Sequence, residues 1–223
     1  MLKLLGAATA IAMTMATGAS AQTPAVSTGE LQMGDRWTYA SRDEITGQDL
    51  PTFTHTVTDV TPTEIGIRLT KPGKPNGYIT YDRAWNMKSN GPWHYMPNNG
   101  FGIKEPLTVG MAWKIKASET NSTNNASWNR SGDVKVLAQE NITTKAGVFS
   151  TFEIESTIRA ESINDPTRKV QLIQRTWYAP AIGHWVKQAL ELRADGILRD
   201  KKSEELIACS VKAAGQECGG LHE

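Results

Sequence analysis

The sequence predicts an all-β protein with little helix, an antiparallel meander forming a strongly curved sheet or incomplete β-barrel. Three observations carry this. Apolar and polar residues alternate with a period of two along much of the chain, short turn sequences separate the alternating stretches, and no segment keeps a helical period for three turns. Strands that follow one another through short turns pair antiparallel, and the twist of such a sheet curls it toward closure.

The chain opens with MLKLLGAATAIAMTMATGASAQTPA: one positive charge at Lys3, a short apolar run, and Ala19 and Ala21 flanking Ser20. This is the pattern of a secretory signal peptide over residues 1–21, cut after Ala21. It places the mature protein in the periplasm or outside the cell, with no transmembrane segment. No cysteine follows the cut, so an amino-terminal lipid anchor is not expected. The mature length is 223 − 21 = 202 residues, enough for one well-packed β domain. We expect a flexible arm over 22–33, a single β domain over 34–209, and a carboxyl-terminal tail over 210–223. Removing Lys3 leaves 24 − 1 = 23 basic residues against 23 acidic ones. A formally neutral chain without a basic stripe is not a nucleic-acid binder.

The elements follow in order. DRWTYAS starts the first strand. TFTHTVTDV (52–60) alternates Phe53, His55 and Val57 against a row of threonines, and TEIGIRLT (63–70) returns from a turn at Thr61 and Pro62, making a hairpin that KPGKPNG ends. In the second half, GDVKVLAQENITT and VFSTFEIESTIRA flank a Lys-Ala-Gly turn, and Phe152, Ile154 and Ile158 share a face. RKVQLIQRTWYA follows. HWVKQALELRADG and ILRDKKSEELIAC then form a hairpin through Asp195 and Gly196, a dipeptide suited to a tight primed turn. The polar run ETNSTNNASWNR (119–130) reads as a long hairpin loop.

Cys209 and Cys218, the two cysteines of the chain, are expected to form a disulfide in an exported protein. Closing so short a loop contributes roughly 2.5 kcal/mol in the chain-entropy treatment. A metal site built from them with His222 matches no standard zinc spacing, and no metal or other cofactor is expected.

Signatures of chemistry are missing: no G-x-S-x-G, H-E-x-x-H, C-x-x-C, phosphate loop or dinucleotide fingerprint occurs. His55 reads as a core histidine on the face of Phe53 and Val57. His94 has an aromatic neighbourhood but no acidic residue close in sequence to orient it as a base. Glu153 and Glu155 share a strand face and read as solvated. Trp85, Trp93, Tyr95 and Phe101 fall within 17 residues among glycines and prolines. They read either as a loop that plugs the open end of the sheet or as a ligand-contacting set. In RTWYAPAIGHWVKQALEL (175–192), Gly183 supplies a turn, Trp177, Tyr178 and Trp185 cover it, and His184 starts the return strand exposed.

The motifs W-Y-A-P-x-I-G-x-x-V-K, G-D-R-W-T-Y, V-G-M-A-W (109–113) and K-A-G-V-F-S-T-F-E-I (145–154) resemble those of an uncharacterised family of exported bacterial β-proteins, the TapB-like or domain-of-unknown-function group. The resemblance covers roughly residues 30–208. Its motifs are turn and core residues, so it implies a fold and carries no catalytic residues. At the level of fold it is similar to the half-barrel of the lipoprotein carriers LolA and LolB, whose concave face holds acyl chains.

The reading that follows is an exported, non-enzymatic binding protein holding a lipid or other amphipathic ligand in the concave face of the sheet. The alternative is a structural or protein-interaction module of the cell envelope that pairs an exposed sheet edge with an envelope protein partner. A hydrolase built on His94 comes third.

Overall fold

The computed structural model describes residues 30–212 and 216–218. The expected signal peptide and cleavage site, and His222, lie outside the described residues. Buried Trp37, Tyr39 and Ser41 alternate with outward Thr38, Ala40 and Arg42 to make β1 (Arg36–Asp43). The threonine-rich stretch and its return form the expected hairpin, β2 (Asp49–Val60) and β3 (Glu64–Thr70), with Phe53, His55, Val57, Ile65 and Ile67 buried. β4 (Gly77–Asp82), β5 (Met87–Asn90) and β6 (Trp93–Asn99) continue the meander. The longest strands follow: β7 (Ala112–Asn121), β8 (Ser127–Thr144), β9 (Gly147–Ser162) and β10 (Lys169–Ala179). A single 3-10 turn over Pro180–Ile182 leads to β11 (His184–Ala194), β12 (Ile197–Val211) and the short β13 (Gln216–Cys218).

Every strand pairs antiparallel with the next, and β1 also pairs with β12 from Arg36↔Ser210 to Asp43↔Lys202. The first twelve strands therefore close into a barrel; β13 is a hairpin return that pairs with the carboxyl-terminal end of β12. Closure is the completed form of the curved sheet that the alternation predicts. The Asp195–Gly196 turn has φ of 52° and 77°, both left-handed, as a primed turn requires. Cys209 and Cys218 face one another across β12 and β13 with Cα atoms 4.9 Å apart and are joined.

Two expectations change. The polar run 119–130 is not a long loop: β7 continues to Asn121 and β8 starts at Ser127, leaving five residues as the turn. Cross-strand pairs such as Ser118 Oγ donating to Asn129 at 2.8 Å hold these polar residues in register. The aromatic segment 85–101 is not a loose plug either, because most of it forms β5 and β6.

Outward positions carry charge. Lys135, Glu155 and Arg175 stand side by side on β8, β9 and β10, and Lys114 of β7 pairs with Asp133 of β8. Arg175 reaches Glu155 at 2.9 Å and Glu153 at 3.7 Å, the solvated face expected for those two carboxylates. Among the described residues no helix is long and apolar enough to cross a membrane.

The inside is asymmetric from end to end. The end bearing the turns at 61–63, 83–86 and 180–183 is packed solid. Trp37, Val57, Ile65, Ile182, Val186 and Val211 form one cluster there, and Leu107, Trp113, Val136 and Tyr178 a second. At the opposite end, inward Leu69, Leu172, Leu190 and Leu192 are only partly buried. The loop between β6 and β7 is stitched to the closed end. Asn86 Oδ1 accepts the Gly100 and Gly102 amides at 3.1 and 2.7 Å, and Ile103 N donates to the Ala84 carbonyl at 2.7 Å. Gly102 lies so close that a Cβ there would meet the Ala84 oxygen at 1.9 Å. We expect Gly102→Ala to lower stability by about 3 kcal/mol in urea unfolding, the range of severe core strain. Gly91→Ala, where φ is 55° and nothing lies within 4 Å, should cost only about 1 kcal/mol.

Candidate lumen binding site

An eight-stranded barrel is filled by its own side chains, whereas more strands leave space along the axis. Twelve strands, packed at one end only, leave a cavity of about 420 Å³, within the size range of small-molecule sites. Its wall is apolar over much of its area, with Phe53, Leu69, Met87, Ile103, Ile158 and Leu172. Toward the open end lie Lys71, Asn90, Arg130 and Lys202, with Glu204 beside Lys202.

The closed end of the cavity is built around Tyr39, which is fully buried on β1. Its hydroxyl donates to the Trp185 carbonyl at 2.9 Å and lies 2.8 Å from His184 Nδ1. A carbonyl only accepts, so the phenolic proton is committed there and the hydroxyl must accept from His184. This assigns the His184 proton to Nδ1. The His184 ring stacks on Trp37 at 4.2 Å between centroids, and Trp85 meets it edge-on at 4.9 Å. Trp85 reaches that position with a left-handed backbone, φ 62°. His55 lies 5.7 Å from His184, and its Nδ1 is buried without a hydrogen-bond partner.

Burial sets the charge states of this floor. Desolvation, then the neighbouring His55, holds His184 well below the ordinary histidine range. Desolvation and the Lys71 charge bring His55 down to about 4. The phenols stay neutral, Tyr95 being pushed up to about 12 by burial and then by the Glu119 carboxylate. Burial raises Glu204 against the opposing pull of Lys202 and Lys71. On the far wall, Arg130 pairs with buried Glu119 at 2.7 Å.

Of the four aromatics singled out in the sequence, Trp85, Tyr95 and Phe101 line the cavity, and Trp93 does not. Trp93 pairs with Asn90 and Asn121 beside the open-end turns. His55 is the core histidine expected from its strand. His184 is not exposed but 4 % accessible, because Tyr39, 145 residues away, closes over it. His94 is exposed on β6. Lys71, Lys202 and Glu204 were not foreseen as lining residues. A signal existed for two of them, since Lys202 and Glu204 share the alternation parity of buried Leu206 and Ala208 on β12.

A family model described as DUF3108-like matches residues 96–190, from β6 into β11. That span supplies Phe101, Arg130, Ile158, Leu172 and His184 among other lining residues, and the remainder come from β2–β5 and their turns, Tyr95 of β6, and β12. The crystal structure of a candidate lipoprotein from Parabacteroides distasonis is similar over 81 % of this chain and 96 % of that one, at 15 % identity and a TM-score of 0.56. A candidate exported protein from Bacteroides fragilis, described as having a YmcC-like fold, matches over 83 % and 100 % at 14 % identity and a TM-score of 0.52. At these identities the likeness is one of fold. No curated protein matches the chain.

The two floor histidines give acid lability a definite sign. Their folded pKa values lie below the unfolded value near 6.5, so the unfolded state binds more protons between the two. Stability is full above pH 6.5 and is lost as pH falls toward about 4. Each histidine contributes a slope approaching about 1.4 kcal/mol per pH unit in that window. Glu204, raised by burial, has the opposite sign: its contribution falls as pH rises past the ordinary glutamate value. Urea midpoints measured from pH 7 to 5 should therefore decline, and His55→Asn should flatten the decline by about half.

Proposed function

We propose that the protein is an envelope binding protein without catalytic activity, whose barrel lumen takes up the apolar part of a small amphipathic ligand. The observation that carries this reading is the lumen itself: a cavity of about 420 Å³, its wall apolar over much of its area but for Gln174, Thr176 and Gln188, packed shut at one end and charged at the other. The lining aromatics Trp85, Tyr95, Phe101 and Trp185 supply large flat contact area at low entropic cost.

Envelope location is supported by the amino-terminal signal pattern and by neighbours described as lipoprotein or exported. The LolA and LolB carriers offer an analogy of use, with the difference that their sheet is a half-barrel and this one closes. The non-enzymatic reading rests on the floor chemistry. His184 and His55 are neutral, and among the described residues neither has a carboxylate hydrogen-bonded to its ring and no serine or cysteine nucleophile lies on the cavity wall. The alternative of strand addition at a sheet edge is weakened, because pairing of β1 with β12 occupies the lengthwise edges that it needs.

Native mass spectrometry of protein purified without detergent, followed by organic extraction, tests the proposal. A stoichiometric mass excess that extracts as an amphiphile is expected. Uptake of N-phenyl-1-naphthylamine, with fluorescence enhancement, should be seen in stripped protein and fall at least tenfold in Leu172→Trp, which fills the lumen. Bare protein that enhances no probe fluorescence would overturn the reading.

A further inference from the structure

The lining charges do not cancel. Arg130 is matched by Glu119 at 2.7 Å, and Lys202 faces Glu204 at 3.8 Å. Lys71 has no carboxylate within 4.0 Å among the described residues. Asp200, two residues before Lys202 on β12, is exposed and lines none of the cavity. The wall therefore carries one uncompensated positive charge, at Lys71.

Its placement follows from the topology. Lys71 is the first residue after β3, at the end where the lumen opens. Lys71 is exposed, and its ammonium lies 5.7 Å from the centroid of the Phe53 ring, itself part of the cavity wall. A lysine in such a place lays its methylene stem on apolar surface and keeps its charge at the boundary with water. The apolar wall lies inward of it, toward Met87, Trp85 and Ile103.

We infer that the lumen selects amphiphiles bearing an anionic head group, with the head held at the mouth by Lys71 and the apolar chain directed toward Trp85 and Trp185. This rests on the lumen reading above and adds the sign of the ligand. The recognising chemistry is a carboxylate or a phosphate monoester on one apolar chain. Free fatty acids and single-chain phospholipid fragments both present it. The floor is matched to the chain end: His55 and His184 are neutral, and their rings present aromatic surface beside the tryptophans.

The test measures affinities of stripped protein for four probes that share a dodecyl chain: dodecanoate, dodecyl phosphate, dodecanol and dodecyltrimethylammonium. Both anions should bind more tightly than dodecanol by about fivefold, the scale of a partly exposed ion pair, and the advantage should fade as salt is raised. The cation should bind more weakly than dodecanol. A tighter carboxylate points to fatty acids as the source, a tighter phosphate to phospholipid fragments. Lys71→Glu should reverse the anion-to-cation preference, and Lys71→Arg should retain it. Equal binding of all four probes, or a preference that Lys71→Glu leaves intact, overturns the anionic assignment while the lumen reading stands. Failure of every probe to bind overturns the lumen reading itself.

Discussion

The structure depends on one seam, the pairing of β1 with β12. Every other ladder joins neighbours in sequence, and alone those would give a curled ribbon with two bare edges and an apolar face open to water. The register from Arg36↔Ser210 to Asp43↔Lys202 turns the ribbon into a ring and places Tyr39 opposite Leu206. Both are inaccessible to solvent, and Tyr39 then reaches across to His184 and Trp185 on β11. One strand thus closes the barrel and holds the floor of its lumen. A polar group buried this deeply is stabilising only because its hydrogen bonds are complete.

The lumen follows from strand number and unequal filling. Twelve strands make a ring too wide to be filled by side chains meeting from opposite walls, and the bulky residues lie mostly toward one end. Trp37, Trp85, Ile182 and the loop pinned by Asn86 fill that end. At the other, shorter or charged side chains leave the axis open. The asymmetry combines residue size and polarity along the strands with the turns and the β6–β7 loop that fold over one end.

The hairpins of this fold were legible in sequence because their signals are local. Alternation across 52–70, the left-handed Asp195–Gly196 pair and the core face of His55 all depend on residues within a few positions of one another. The failures have the opposite character. His184 follows a glycine turn and so reads as exposed, but its burial is decided by Tyr39, far away in the chain. The Asn- and Ser-rich run at 119–130 has loop composition, yet cross-strand partners hold it extended, packing overriding propensity. Trp85, Tyr95 and Phe101 carried a usable signal as a clustered aromatic set, whereas Trp93, on the same strand face as Tyr95, sits at the open-end turn and is not part of the cavity lining. Lys71, Arg130 and Lys202 meet around one cavity from the end of β3, from β8 and from β12, a convergence that ring closure produces.

The seams of the ring are far from equal. β8 and β9 are in register from Trp128↔Ser162 to Thr144↔Gly147, while β5 and β6 share only Ser89↔His94 and Asn90↔Trp93. Backbone opening is drawn first from the segments with the fewest ladder bonds, so the barrel is hard along one flank and soft along the other. The soft flank borders Met87 and Tyr95, both on the lumen wall. Slow amide exchange over β8 and β9 beside fast exchange over β5 would be the signature of a container whose calibre yields on one side while its closure holds.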